Sequence, residues 1–401
     1  MASALLAKTW VGLDLEDAAG ITQQANAIAG LFADFVNAAT TTLHIAIYDF
    51  RLDPAQAAIV MGALNAAADR RVDVKVAYFD QPAGKNTEKD GGDPSPGTKA
   101  SDLRALHKKI AVKAIKGIDI NSLPKNVAKE PIEGGGHLMH SKYMVRDGVS
   151  VWMGSANFTT DAWSIQDNNI VEVTSPDIAK CYTTDFDELW ANGRIAGTGK
   201  NDLGEATVDD YEMDVAFSPG EGSTVEKEVA GAIQGAKETV AIASMVISSG
   251  SILGALIDAM GRGVKVTGVY DGPEMKMVIA DWAKSTKSAG KAAQWAKISP
   301  LLTPKQSVPY KPTAPHNFMH NKLAVVDGKL LVTGSFNFSE NATMNAENMV
   351  TIREPSVVAQ YGAYVAQLVI TYGKAKTSAK KRAGTRPARS ATSKKRGSRR
   401  G

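Results

Sequence analysis

HSKYMVRDGVSVWMGSANFT, residues 140–159, and HNKLAVVDGKLLVTGSFNFS, residues 320–339, align without a gap at an offset of 180 residues. A repeat of this length decides the fold, because each copy marks one unit of a duplicated body. In both copies an Asp-Gly step, Asp147-Gly148 or Asp327-Gly328, separates two short apolar runs. Asp-Gly between such runs signals a tight hairpin, so these two aspartates read as structural.

The similarity extends outward. Upstream of the first copy, Ile28, Leu31, Phe32, Phe35 and Val36 lie on one face of a predicted helix, followed by the strand-like TTLHIAIYDF, a second helix and the strand VDVKVAYFD. Upstream of the second, Val225, Val229 and Ile233 mark a helix before TVAIASMVI, and a helix and GVKVTGVYD follow. Strands alternating with helices predict an α/β fold of two pseudo-duplicated halves, each with a central mixed sheet, packed face to face. The halves are expected over 1–200 and 205–372, joined by the Gly-rich stretch 195–207, with a tail over 373–401. Two segments, from Gln81 and from Ile298, read as long loops of the kind that cover or contact a substrate.

Residues i and i+2 of a strand share a face, so His140 projects with Lys142, and His320 with Lys322. Each pair offers a nucleophile or an acid beside a cation. The hairpin returns the chain so that Gly154-Ser155-x-Asn157 and Gly334-Ser335-x-Asn337 reach the end of the next strand. There glycine permits close backbone approach while Ser155, Asn157, Ser335 and Asn337 offer neutral donors to a phosphate. A carboxylate also repeats, Asp167 after His140 and Glu347 after His320, each at 27 residues. Bonded to one ring nitrogen, it fixes the tautomer and raises the basicity of the other. The surrounding QDNN differs from NAEN in the second copy, so Asp167 is the less securely aligned of the two.

His137 and His316 precede the motif histidines by three and four residues. The unequal spacing favours loop or phosphate-contact roles over metal ligation. His44 and His107 read as structural, and Gly134–Gly136 as a flexible entry to the motif.

With HxKxxxxD followed by GSxN present twice, the chain resembles the phospholipase D superfamily, and the repeated strand pattern carries the likeness over roughly residues 20–370. The resemblance implies that His140 and His320 meet across a pseudo-twofold axis, one attacking phosphorus to form a phosphohistidine and the other protonating the leaving alcohol. Family members with both motifs in one chain imply His140 as nucleophile and His320 as acid and later base. Lys142, Lys322, Asn157 and Asn337, with Ser155 and Ser335, would hold the non-bridging oxygens. Neither metal nor cofactor is implied. With both motifs in one chain, a monomer is expected.

Composition suits a folded soluble protein, with 44% hydrophobic and 22% charged residues. A single cysteine, Cys181, excludes an internal disulfide and a zinc-thiolate cluster. No signal peptide or membrane span is legible, and a cytoplasmic location is expected. Residues 373–401 hold twelve Lys and Arg and no acid, which leaves 34 basic against 42 acidic residues in the rest. That tail, poor in apolar residues, is expected to be disordered and to bind polyanions, either nucleic acid by counterion release or an anionic membrane at about 1 kcal/mol per basic residue. The segment WAKSTKSAGKAAQWAK, with Trp282 and Trp295, is the nearest candidate for membrane contact. The expected substrate is a phospholipid phosphodiester. A nuclease of the same superfamily is the alternative, and a non-catalytic nucleic-acid-binding scaffold stands third.

Overall fold

The computed structural model describes residues 4–80, 103–116 apart from 104 and 107, 137–200, 204–309 apart from 209, and 314–384; of Asp80 and residues 374–384 the backbone alone is described. The whole loop expected from Gln81, together with His107 and Gly134–Gly136, lies outside the described residues.

The first half runs β1 (Ala4–Trp10), α1 (Ala18–Asn37), β2 (Thr42–Ile47), β3 (Phe50–Arg51), α2 (Pro54–Asp69), β4 (Asp73–Asp80), β5 (Ala111–Lys116), β6 (Lys142–Arg146), β7 (Ser150–Gly154), β8 (Phe158–Thr159), α3 (Thr160–Ser164), β9 (Asn168–Thr174) and α4 (Pro176–Asn192). The second runs β10 (Gly204–Val208), β11 (Tyr211–Ser218), α5 (Gly222–Gly235), β12 (Thr239–Ser244), α6 (Gly250–Gly261), β13 (Lys265–Asp271), α7 (Gly272–Trp282), α8 (Ala289–Ile298), β14 (Leu302–Lys305), β15 (Lys322–Val326), β16 (Leu330–Gly334), β17 (Glu347–Ile352) and α9 (Pro355–Gly384).

The sheet orders expose the duplication. One sheet is β1-β9-β7-β6-β2-β4-β5 and the other β10-β11-β17-β16-β15-β12-β13-β14, so every strand of the first has a counterpart in the second, and β10 is an addition. Both sheets are mixed: β2 pairs parallel to β4 and antiparallel to β6, as β12 does with β13 and β15.

Helices end where local chemistry ends them. Asp17 caps α1 by accepting from Gly20 N, and Ser175 caps α4 ahead of Pro176, while Gly193 closes α4 at φ 62°. On α1, Ile28, Phe32, Phe35 and Val36 are buried as the spacing predicts, but Leu31 points outward at 40% exposure.

Three apolar clusters define five layers. The outermost cluster of the first half packs α1, α2 and α3 on its sheet, and that of the second packs α5, α6, α7 and α8 on the other. Between the sheets, Tyr182, Phe186 and Leu189 of α4 and Tyr361, Tyr364 and Leu368 of α9 join inner-face residues of both sheets, among them Val151, Val171, Leu331 and Val350. The halves thus pack face to face through a helical filling that belongs to both.

Three expectations are corrected. The stretch read as a linker to residue 207 already contains β10. The loop expected from Ile298 contains β14, which adds parallel to β13 with Leu302 and Lys305 buried; its Pro304 is tolerated because the strand lies at the sheet edge. Helix α9 is described through residue 384, and the remainder of the expected tail, 385–401, lies outside the described residues. Trp282 and Trp295 are 7% and 4% exposed, packed in the second-half core with Trp295 edge-on to Tyr270, so neither ring is presented to a membrane. Among the described residues no helix is long and apolar enough to cross one.

Both Asp-Gly turns have positive φ at the aspartate and the glycine, 55° and 63° in the first copy and 51° and 61° in the second, as a type I′ turn demands. Each aspartate also reaches past its own hairpin. Asp147 Oδ1 accepts from Thr41 N at 2.7 Å and Thr42 N at 2.9 Å, and Asp327 accepts from Lys237, Glu238 and Thr239 N, each at 2.8 Å. The turn is thereby tied to the start of the neighbouring strand, β2 or β12.

Partial burial pushes the Asp147 carboxyl up, but the Thr40, Thr41 and Thr42 N–H groups and the Thr41 hydroxyl outweigh it and hold it at about 2. A depressed carboxyl stabilises the fold above its unfolded value near 3.8, and that contribution is lost as pH falls through about 2. Asp147→Asn is expected to cost about 1 kcal/mol near neutral pH, a figure already reduced for solvent screening. Urea unfolding at stepped pH should show the wild-type advantage narrowing below about pH 4; an advantage independent of pH would remove the carboxylate from the account.

Candidate active site

The motif histidines sit just ahead of β6 and β15, in segments that pair with the opposite half. His140 N donates to the Ala346 carbonyl at 2.8 Å and Ala346 N to the Leu138 carbonyl at 2.8 Å. In the mirrored contact, His320 N donates to the Asp167 carbonyl and Asp167 N to the Phe318 carbonyl, both at 3.0 Å. Each motif is therefore laid against the residues that lead into β17 or β9 of the other half.

This crossing decides what each imidazole meets. His140 Nδ1 lies 2.7 Å from Glu347 Oε2, and His320 Nδ1 lies 2.9 Å from Asn168 Oδ1, with both rings fully buried. Lys142 Nζ donates to the His140 carbonyl at 2.6 Å and Lys322 Nζ to the His320 carbonyl at 2.7 Å. Each ammonium is thus folded back beside its own histidine, as the i, i+2 spacing predicts. Tyr48 lines the first motif, its ring centroid 4.9 Å from that of His140 and 5.1 Å from Lys142 Nζ.

The strands after the hairpins bring in the GSxN residues. Gly154 and Gly334 have φ of 152° and 151°, and a Cβ on either would stand 2.3 Å from a carbonyl of the next strand, Asn169 or Asn348. Ser155 Oγ accepts from Asn169 N at 3.0 Å and donates to Asn168 Oδ1 at 2.8 Å; Ser335 Oγ accepts from Asn348 N at 2.9 Å. Both buried hydroxyls are engaged within the sheet, and Ser155 steadies the amide that faces His320. Asn157 and Asn337 are buried at the site, and the Asn337 side-chain oxygen has no hydrogen-bond partner among the described residues. A half-turn of the amide about its terminal torsion would present its nitrogen, a donor, at the same place.

The expected place of Asp167 is corrected. Gly154 pairs with Ile170 but Gly334 with Met349, so the first copy carries one more residue between GSxN and the following strand. The counterpart of Glu347 is consequently Asn168, not Asp167. The Asp167 carboxylate points the other way, to Lys305 Nζ at 2.8 Å, Gly12 N at 2.7 Å and Tyr372 OH at 2.7 Å.

Of the flanking histidines, His316 is held through its N–H to Asp161 Oδ2 at 3.0 Å and stacks on Phe318, while burial pushes His137 below the usual imidazole range. His44 stacks on Phe186 of α4. Among the described residues no three His, Cys, Asp or Glu side chains converge as a metal site would require. Asp271 caps α7 and accepts from Met319 N at 3.0 Å and Ser307 Oγ at 2.7 Å; burial nevertheless pushes its carboxyl up to about 6.

A family model described as cardiolipin synthase, PLD-like domain, matches residues 32–190 and 229–369, one stretch in each half. The chain belongs to the phospholipase D superfamily. A phospholipase D from Rickettsia bellii is 29% identical over 151 residues, which span 37% of this chain and 65% of that protein. A mitochondrial cardiolipin hydrolase from Chlamydomonas reinhardtii is 29% identical over 127 residues, 31% of this chain and 49% of that one. The crystal structure of phosphatidylserine synthase from Haemophilus influenzae covers 86% of this chain and 84% of its own at 13% identity and a TM-score of 0.57, a likeness of fold.

Within this superfamily chain, the residues that sequence reasoning missed are Asn168, Tyr48 and the pair Asn169 and Asn348. A signal for the first existed. Aligning NIV of Asn169–Val171 with NMV of Asn348–Val350, at the cost of a one-residue gap, moves Asn168 onto Glu347. Tyr48 carried no such mark.

The tight glycine positions generate a direct test. Gly334→Ala places a methyl against the Asn348 carbonyl at a φ that L residues rarely adopt, and is expected to destabilise the protein by about 1–3 kcal/mol. Denaturant unfolding measures this, and an unchanged midpoint would mean that the strands do not approach so closely.

Proposed function

We propose that the chain is a phospholipase D-type phosphodiesterase that hydrolyses a phospholipid phosphodiester, or transfers it to another alcohol, through a phosphohistidine on His140. The observation that carries this reading is the unequal pairing of the two histidines. Glu347 accepts the Nδ1 proton of His140, which leaves the Nε2 lone pair for attack and compensates the positive charge that the ring acquires. Asn168 orients His320 without adding charge, which suits a group that must surrender a proton.

In the first step a bond forms between His140 Nε2 and phosphorus, the bond from phosphorus to the alcohol oxygen breaks, and that oxygen takes the His320 proton. In the second, His320 removes a proton from water, the hydroxide attacks phosphorus and the P–N bond breaks, returning His140 neutral and releasing the phosphomonoester. Lys142, Lys322, Asn157 and Asn337 hold the non-bridging oxygens throughout, in a buried site where such contacts are strong. The lipid substrate is supported by the family model's description and by the names of the relatives. The second reading, a nuclease, is favoured by the twelve basic residues of 373–401, whose charge suits a polyanion.

Purified protein in EDTA, offered phosphatidylcholine or phosphatidylglycerol vesicles and separately plasmid and single-stranded DNA, is expected to release headgroup. Cleavage of DNA alone would replace the lipid reading with the nuclease. On the active substrate, His140→Ala should lose at least about 10³-fold in kcat and Glu347→Gln about 10²- to 10⁴-fold. An alkaline quench with phosphorus-labelled substrate should trap label on the wild type and none on His140→Ala. Label retained by that variant would overturn the assignment of the nucleophile.

A further inference from the structure

We propose that Asp167, Lys305 and Tyr372 form a positioning network that holds His320 in place as the acid for the leaving alcohol. The inference rests on the role given to His320 above, and goes beyond it in naming residues outside both motifs. Asp167 touches the histidine only through the backbone, its carbonyl accepting from His320 N at 3.0 Å and its N–H donating to the Phe318 carbonyl at 3.0 Å. Its neighbour Asn168 then meets the ring. Where Asp167 sits therefore sets both the main chain and the side-chain partner of the acid.

The Asp167 carboxylate is fixed from three directions. Lys305 Nζ at the end of β14 bonds it at 2.8 Å and also reaches the Phe318 carbonyl at 3.2 Å, so one ammonium ties together both strands of the crossing. Gly12 N, beyond β1, donates to Oδ1 at 2.7 Å. Tyr372 OH of α9 lies 2.7 and 2.9 Å from the two oxygens, and its ring centroid lies 5.1 Å from Lys305 Nζ. Burial and the Asp167 charge both push the Tyr372 hydroxyl far above its usual range, so it remains a donor. Asp167 is fully buried and Lys305 is 4% exposed.

A buried ion pair contributes little net stability, because desolvation offsets its attraction, so its presence calls for another reason. The duplication supplies one. At the equivalent places behind His140 stand Ala346, which takes the mirrored backbone contact, and Ile115, a buried apolar side chain that occupies on β5 the register position of Lys305 on β14. Helix α4 stops at Asn192, whereas α9 runs on and delivers Tyr372. Among the described residues, only the half that supports His320 has the network. His140 has its negative charge in direct contact, in Glu347; behind His320 the charge lies one layer away and is matched by Lys305, so it orients the ring without holding its proton.

An acid is needed in proportion to the reluctance of the leaving group. Tyr372→Phe, which removes one hydroxyl and keeps the ring, and the double variant Asp167→Asn with Lys305→Met, which removes both charges together, are to be compared with wild type on two substrates. One is bis(4-nitrophenyl) phosphate, whose leaving group departs without protonation, and the other is the vesicle or DNA substrate that wild type cleaves. On the alkoxide substrate kcat should fall about 10- to 100-fold, as a misplaced catalytic group predicts, with KM within about twofold. On the nitrophenyl ester it should fall less than about threefold. Equal losses on the two substrates, or no loss in either variant, would overturn the network's role while leaving the phosphodiesterase intact. Wild-type activity that survives His320→Ala on the alkoxide substrate would instead overturn the reading on which it rests.

Discussion

Two reciprocal backbone contacts, His140 N to the Ala346 carbonyl and His320 N to the Asp167 carbonyl, fix how the halves of this chain relate, and the chemistry of the site follows from them. Each contact lays the residues preceding a motif against those preceding the last strand of the other half. A histidine therefore never finds its orienting partner in its own repeat. Because the contacts are backbone to backbone they tolerate different side chains, which is how Ala346 and Asp167 come to occupy mirrored positions with different duties.

Sequence alone carried most of the fold and the centre of the site. The gap-free repeat of residues 140–159 and 320–339 contains β6, β7, β15 and β16 with their turns, and Asp147 and Asp327 sit in the positive-φ turns that Asp-Gly predicts. What was hidden has physical causes. β14 and β5 are short edge strands in polar or proline-containing sequence, where apolar alternation is weak. Trp282 and Trp295 stood among lysines and read as a basic surface, but tertiary packing buries the rings and leaves the lysines to the outside. The swap of partners between halves has no sequence signature, since spacing within one repeat cannot reveal a contact with the other.

The single inserted residue before β9 had the largest effect on the site. It displaces the acidic side chain by one position, and in a strand-like segment a shift of one turns a side chain to the opposite face. Asn168 thereby faces His320, and Asp167 faces Lys305, Gly12 and Tyr372 on the other side. A nearly symmetric duplication becomes two unequal histidines through one change of register, without altering either HxK.

Helix α9 fills the space between the two sheets, its Tyr361 bonded to Asn169 at 3.0 Å and its Tyr364 to Asn321 at 3.0 Å. It follows every strand of the two described sheets, so during synthesis on a ribosome both sheets can be complete before the element that separates and seals them has emerged. Until then the inner faces, rich in Val, Leu and Met, have only α4 between them. The nascent chain thus passes through a stage of exposed apolar surface whose length is set by translation speed, and the same late helix that ends it also brings the tyrosines to the site.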